Sequence, residues 1–259
     1  MTTLLLRLCG PMQSWGTQSR FKVRDTGLEP SKSGVVGLLC AALGRPRHED
    51  VTDLAQLRMG VRVDREGAHE RDYHTVGGSH LKGERYGVVT ADGSLGGTVV
   101  SQRYYLADAS FLVGLEGDAS LLAEVNAALA APVWQIFLGR KAFVPGVPVR
   151  LPDDPPYGPG LRDGQLEEVL LGYPWFPSQA RGRAARGAAR DPQAARLRTV
   201  IELSAEDRTA GRTFGAEVRM DQPVGAAFRD RSFTVRHVVT DLVPRDRIPL
   251  GDETCISPD

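Results

Sequence analysis

Four groups of residues have types and spacing suited to chemistry. Asp72-Tyr73-His74 places an imidazole near a carboxylate. With Lys82, Tyr104 or Tyr105 nearby in the fold, His74 would serve as a general base for RNA cleavage; as a plain His-Tyr pair it would contact unpaired bases instead. The run Gly10-Pro11-Met12-Gln13-Ser14-Trp15-Gly16 supplies glycines, which let a backbone approach a ligand, and a Trp face on which a base can stack. The same Trp would also serve as a packing anchor. Ser31-Lys32-Ser33 offers a helix N-terminus with a cation, a seat for a phosphate or an ordinary cap. Gly139-Arg140-Lys141 places two cations beside a glycine, suited to backbone phosphates or to a solvated turn.

Some chemistry is excluded. Lys32-Ser33 is not a phosphate-binding loop, because that motif needs Gly immediately before the Lys and position 31 is Ser. His69, His74 and His80 share one segment, but their spacing fits no common zinc pattern and no Cys is near in sequence, so no metal site is expected. No cofactor motif is present.

The elements that must position these residues follow from periodicity. Thr3–Cys9 reads as an apolar strand ending at a Gly-Pro break. A polar, basic loop holds Arg20, Lys22 and Arg24. A helix then runs to Leu43, with Ser31 or Ser33 at its N-cap and Gly44 as its stop. Leu57–Val63 alternates as a second strand. The Gly-rich stretch 65–102 suggests a projecting β-hairpin, with arms near Tyr86–Thr90 and Thr98–Gln102. Arg103–Leu115 reads as one long strand, Asp118–Ala131 as an amphipathic helix capped by Asp118, and Val133–Leu138 as a strand. That order, β-α-β-β-α-β, is the ferredoxin-like order. Further strands are expected at Gln165–Leu171, Thr199–Ser204, Thr213–Met220 and Ser232–Val239. The Arg/Ala stretch Arg181–Arg198 is expected as a mobile loop.

The chain has 259 residues, enough for one large domain or two ordinary ones, and its composition is that of a globular protein with a real core. Its net charge is zero, which argues against coating nucleic acid over the whole surface. Charge is nevertheless uneven: the first 47 residues carry seven basic and two acidic side chains, a local balance of +5. Cys9, Cys40 and Cys255 are scattered, as buried thiols of a reducing compartment would be. No signal peptide or membrane span is evident, so a cytoplasmic location is expected.

Several of these pieces occur together in one known family. The segments LLLRLCGPMQSWG (4–16), PSKSGVVGLLCAALG (30–44), RDYHTV (71–76), YLADASF (105–111) and FLGRKAF (137–143) resemble, in order, the CasD family, the RAMP-type subunit of the type I-E CRISPR Cascade complex. The resemblance covers about residues 1–145, is looser around Phe228–Val239, and leaves the Arg/Ala stretch unmatched. It implies an α+β fold: a ferredoxin-like (RRM-like RAMP) domain over 1–145 with a β-hairpin thumb near 77–103, and a smaller β-rich part over 146–259. It implies a non-catalytic subunit, without cofactor or metal, that grips the 5′ handle of the CRISPR RNA. Such a subunit caps the backbone subunits and contacts the large PAM-recognising subunit, with target DNA near the PAM-proximal end left open as a partner. A related subtype uses the equivalent subunit as the nuclease, which keeps the His74 endoribonuclease as the alternative. The RNA-binding set expected on this basis is Gln13, Ser14, Trp15, Gly16, Arg20, Lys22, Ser31, Lys32, Ser33, Tyr73, His74, Arg140 and Lys141. The paired aromatics of RRM strands are absent from Arg103–Leu115, so RNA is not expected to lie flat on an open sheet.

Overall fold

A computed structural model describes residues 1–17, 22–77, 87–89, 92–94, 96–176, 196–211 and 214–251. Arg20, His80, Lys82, Cys255, the two ends of the expected hairpin arm, Tyr86 and Thr90, and Arg181–Arg190 lie outside the described residues.

The first strand explains the layering. β1 (Thr2–Cys9) is an almost unbroken apolar run, and Leu4, Leu5, Leu6 and Leu8 are all fully buried. A strand apolar on both faces must be covered on both. On one face Leu4, Leu6 and Leu8 meet α1 (Lys32–Leu43) and α3 (Ala119–Ala130), together with the Leu54 side chain of the short helix α2 (Thr52–Gln56). On the other face Leu5 joins Leu112, Val169, Leu170 and Phe176. The helix α1 starts where the sequence indicates: the Ser31 hydroxyl accepts the Gly34 N–H at 3.3 Å, and Gly44 ends it at φ 73°. Cys40 lies inside this packing, and burial pushes its thiol up to about 11.

Seven strands form the main sheet. β4 (Arg58–Arg65) and β7 (Ser110–Gly117) pair antiparallel with one another, and β7 pairs with β1. β8 (Leu161–Asp163) closes the other side of β1, and β9 (Arg196–Glu202), β10 (Glu217–Pro223) and β11 (Phe233–Pro244) extend the sheet beyond β4 in the order β10-β11-β9-β4-β7-β1-β8. A second, smaller sheet is built on β6 (Val99–Ala107), which pairs β5 (Ala68–Val76) on one side and β2 (Met12–Gln13) and β3 (Val23–Arg24) on the other. The fold is therefore α+β and mostly antiparallel.

Four expectations are corrected. Val133–Leu138 is not a strand: the N–H groups of Val133 and Trp134 instead bond the carbonyls of Ala42 and Ala41 at the end of α1, and both side chains are exposed. The strand beside β1 is β8. Gln165–Leu171 forms α4 (Leu166–Gly172), because Leu166, Val169 and Leu170 face the sheet at helical spacing and the Glu116 carboxylate accepts the Leu166 N–H at 2.7 Å. Arg103–Leu115 is two strands, parted at Asp108 with φ 57°. Arg196 and Arg198 belong to β9 and not to a loop. Among the described residues, no helix is long and apolar enough to cross a membrane.

Candidate nucleic-acid interface

The run after β1 is a bracket whose polar groups turn inward. The Gln13 amide is fully buried and donates to the carbonyls of Leu8 (3.1 Å) and Ala109 (2.8 Å), tying the end of β1 to the start of β7. Its oxygen accepts the Trp15 indole N–H at 3.2 Å. Trp15 is 1% exposed and lies against Gly34 in the first turn of α1, where an added Cβ would come within 2.9 Å of the ring. The Ser14 backbone N–H donates to the Leu138 carbonyl at 3.1 Å, and its hydroxyl reaches the carbonyls of Asp25 and Tyr104. Gln13, Ser14 and Trp15 are thus buried, and their polar groups fix the surrounding loops.

Ser31 and Lys32 are likewise internal. The Lys32 ammonium is buried and bonds the Glu202 carboxylate at 2.8 Å, while its backbone N–H donates to Asp221 at 2.8 Å. Asp221 also accepts from Arg236 Nε (2.6 Å) and a terminal nitrogen (3.0 Å). Desolvation holds the Lys32 ammonium below the ordinary lysine range, against the pull of Glu202. The network, two cations and two carboxylates, seals α1 against the last strands, with the Lys32 ammonium buried against Glu202.

The remaining residues converge on the β5–β6 ribbon and its root. The register places Arg71 opposite Tyr104, Tyr73 opposite Gln102 and Asp72 opposite Arg103. Residues directly opposite share a face. One face thus carries His69, Arg71, Tyr73 and Tyr104; His69 and Tyr104 stack at 5.2 Å between ring centroids, and Tyr73 is 67% exposed. The other face carries Asp72, His74, Arg103 and Tyr105. There β3 continues the row, since Arg24 pairs with Arg103.

Arg140 completes this side. Its guanidinium donates to the carbonyls of Arg24 (3.1 Å) and Asp25 (3.3 Å) and lies 5.5 Å over the Phe143 ring, which in turn packs on Tyr105. Burial holds the Arg140 guanidinium below its ordinary value, and the like charges of Arg103 and Arg24 act in the same direction. Three arginines held together, with none closed into a salt bridge among the described residues, form a fixed positive site. Lys22 and Lys141 are exposed beside it, as is Gly16, and Ser33 is half-buried. The sequence reading missed Arg103, Tyr104 and Arg24 as members. The available signal was the period-2 alternation of Ala68–Val76 facing an Arg-Tyr strand.

Among the described residues His74 does not gather a catalytic set. Its Nδ1 is 3.7 Å from the Asp72 carboxylate. Tyr104 faces the opposite side of the ribbon, and Tyr105 sits opposite Glu70, about 13 Å along the strand from the His74 position at the usual rise per residue. Among the described residues no group of His, Cys, Asp and Glu is arranged to hold a metal ion.

Comparison with known proteins identifies the family. A profile described as CRISPR-associated protein (Cas_Cas5) matches residues 3–239. The CRISPR system Cascade subunit CasD of Escherichia coli (strain K12) is 36% identical over 155 residues, which cover 54% of this chain and 65% of that relative's length. A crystal structure titled as a Cas protein superposes with a TM-score of 0.68 at 41% identity, covering 96% of this chain and 98% of the other. A chain from a CRISPR RNA-guided surveillance complex gives 0.69 at 33% identity, covering 95% and 92%. With a family match that spans nearly the whole length, this chain belongs to the Cas5 family of CRISPR-associated proteins.

Proposed function

We propose that the chain is a non-catalytic subunit of a type I-E CRISPR surveillance complex, Cascade, and that it holds the 5′ handle of the CRISPR RNA. In this reading it caps the backbone subunits and contacts the large PAM-recognising subunit. The observation that carries the proposal is the arginine cluster Arg24-Arg103-Arg140 at the root of a ribbon that presents stacked His69–Tyr104 and exposed Tyr73. The arginines and these aromatics lie on opposite faces of the ribbon, so an unpaired strand that wraps it has phosphates held by charge on one face and bases stacked on the other. Lys22 and Lys141 add charge at the margin, His74 offers a hydrogen bond to a base, and Gly16 and Ser33 border the path. Gln13, Ser14, Trp15, Ser31 and Lys32 support this surface from beneath. We read β1-α1-β4-β7-α3-β8 as the ferredoxin-like unit, the β5–β6 ribbon as the stem of the thumb, and residues after about 145 as the β-rich remainder.

Replacing Arg140 and Lys141 together with Ala is expected to weaken binding of the handle RNA. It should also make log K against log salt shallower by about 1.4, the loss of two phosphate contacts on a single strand. Unchanged affinity, salt slope and complex assembly in that variant would remove the assignment. A second measurement addresses catalysis: repeat RNA incubated with the purified protein in EDTA is expected to stay intact, because among the described residues neither Tyr104 nor Tyr105 converges on His74 as an acid. Site-specific cleavage that disappears in His74→Ala would establish the endoribonuclease instead.

A further inference from the structure

The seven-stranded sheet has a second basic edge that the proposed handle site does not use. Arg196 opens β9 opposite Pro244, the last residue of β11, and two residues further along β9 Arg198 pairs with Val63 of β4. β4 ends at Arg65, and the ribbon leaves from Ala68. Arg196 and the residues after Pro244 therefore stand on the same edge of the sheet as the ribbon root. Arg198 is neutralised there: its guanidinium bonds Glu66 at 2.9 and 2.7 Å and Glu29 at 2.7 Å. Arg196, Arg245 and Arg247 are not, since among the described residues none of them makes an ion pair.

These three arginines line a groove. Arg196 and Arg245 border a depression of about 360 Å³ together with Asp246, and Arg245 and Arg247 border an adjoining one of about 600 Å³ over Trp175. Arg245 is held in place, with its guanidinium 3.9 Å above the Trp175 ring. Trp175 is itself fixed by hydrogen bonds to the carbonyls of Asp64 and Pro249. A stacked guanidinium keeps its N–H edge free and loses little rotamer freedom when it binds an oxyanion. Among the described lining residues three cations stand against one carboxylate, Asp246, and with Trp175 7% exposed the groove leaves charge for phosphates and no open ring for a base.

We infer that this edge is a second nucleic-acid surface, at which Arg196, Arg245 and Arg247 hold the phosphates of a strand that runs on past the ribbon, independent of base sequence. The inference rests on the ribbon as the primary nucleic-acid site, and it needs none of residues 177–195. An acidic protein partner, which could seat on the exposed Leu250 at the groove's margin, is the competing occupant; the three cations, unpaired among the described residues, and the position of Arg196 at the ribbon's end of the sheet favour the strand.

The test uses the full chain and fluorescent strands of about 8 and about 30 nucleotides, as RNA and as DNA, since one such surface covers roughly 4–16 nucleotides. Arg196→Gln/Arg245→Gln/Arg247→Gln is expected to leave the short RNA bound within about twofold. The long strand should bind about tenfold more weakly, with a salt slope shallower by about 2. The variant Arg196→Gln/Arg247→Gln keeps the Arg245–Trp175 stack and should show about two-thirds of that change in slope. The RNA and DNA arms name the strand: whichever long probe weakens is the one held, and equal weakening assigns the site to phosphates of either. If the long strand binds both variants as it binds wild type while Arg140→Ala/Lys141→Ala weakens the short RNA, the second surface is overturned and the first stands. If neither set of changes alters binding, both readings fail. Unchanged nucleic-acid binding with lost assembly would assign the groove to protein and overturn the inference.

Discussion

Replacing Asp221 with Ala is expected to destabilise the protein by about 3–5 kcal/mol, the usual consequence of removing one partner from a buried charge network. Asp221 is 4% exposed and accepts three hydrogen bonds, two from Arg236 and one from the Lys32 backbone N–H. Without it, Arg236 remains 4% exposed, and its Nη1 already lacks a hydrogen-bond partner. The nearest remaining acid is Glu202, at 3.8 Å from Arg236 and already bonded to Lys32. One carboxylate would then face two buried cations. Urea unfolding, followed by the midpoint at constant m, measures the loss. The paired change Asp221→Asn/Arg236→Met removes both charges and keeps an acceptor for Lys32; it should recover most of the stability, because such pairs roughly break even against apolar replacements. A loss below about 1 kcal/mol for Asp221→Ala would mean that the network does not hold α1 to the last strands.

The second large effect is expected at Gly139. Its φ is +94°, and an added Cβ would lie 1.8 Å from the Ser14 carbonyl oxygen. No rotamer relieves that contact, since it involves backbone on both sides. Gly139→Ala must therefore either part the Ser14–Leu138 hydrogen bond or twist the turn that carries Arg140, at a cost of about 2–3 kcal/mol. Because Arg140 is held by the carbonyls of Arg24 and Asp25, a shifted turn removes it from the arginine cluster. RNA binding should fall at least as far as in Arg140→Ala/Lys141→Ala, although no charge is lost. A folded Gly139→Ala protein with wild-type RNA affinity would show that the position of Arg140 does not matter to binding.

How far the sequence reaches is best judged at particular residues. α1 and α3 were legible because their caps, Ser31, Gly44 and Asp118, act within a few residues of the helices they end. The burial of Lys32 is not legible because its carboxylates lie 170 and 189 positions away, and only the folded sheet brings them to it. Trp15 illustrates the same limit: its type suits both a stacking platform and a core, and the choice is made by Gly34, whose missing side chain leaves room for the ring. The arginine cluster was half visible. Arg140 stood out beside Gly139, but Arg24 and Arg103 become neighbours only through the parallel pairing of β3 with β6. The break at Asp108 was hidden because the residues on both sides of it have strand character. Asp tolerates the left-handed conformation, and that one residue sends β6 into the ribbon and β7 into the main sheet.

The exposed indole at the end of α1 has a practical side. The chain has three tryptophans, at 1%, 7% and 47% exposure for Trp15, Trp175 and Trp134. Two of them are shielded, one against Gly34 in the first turn of α1 and one beneath Arg245. The third already meets water. Intrinsic fluorescence thus contains its own internal reference: loss of tertiary packing moves the emission of the two shielded indoles toward the red, whereas a partner that covers the end of α1 moves only the Trp134 component toward the blue. The unlabelled protein carries optical probes that separate unfolding from docking.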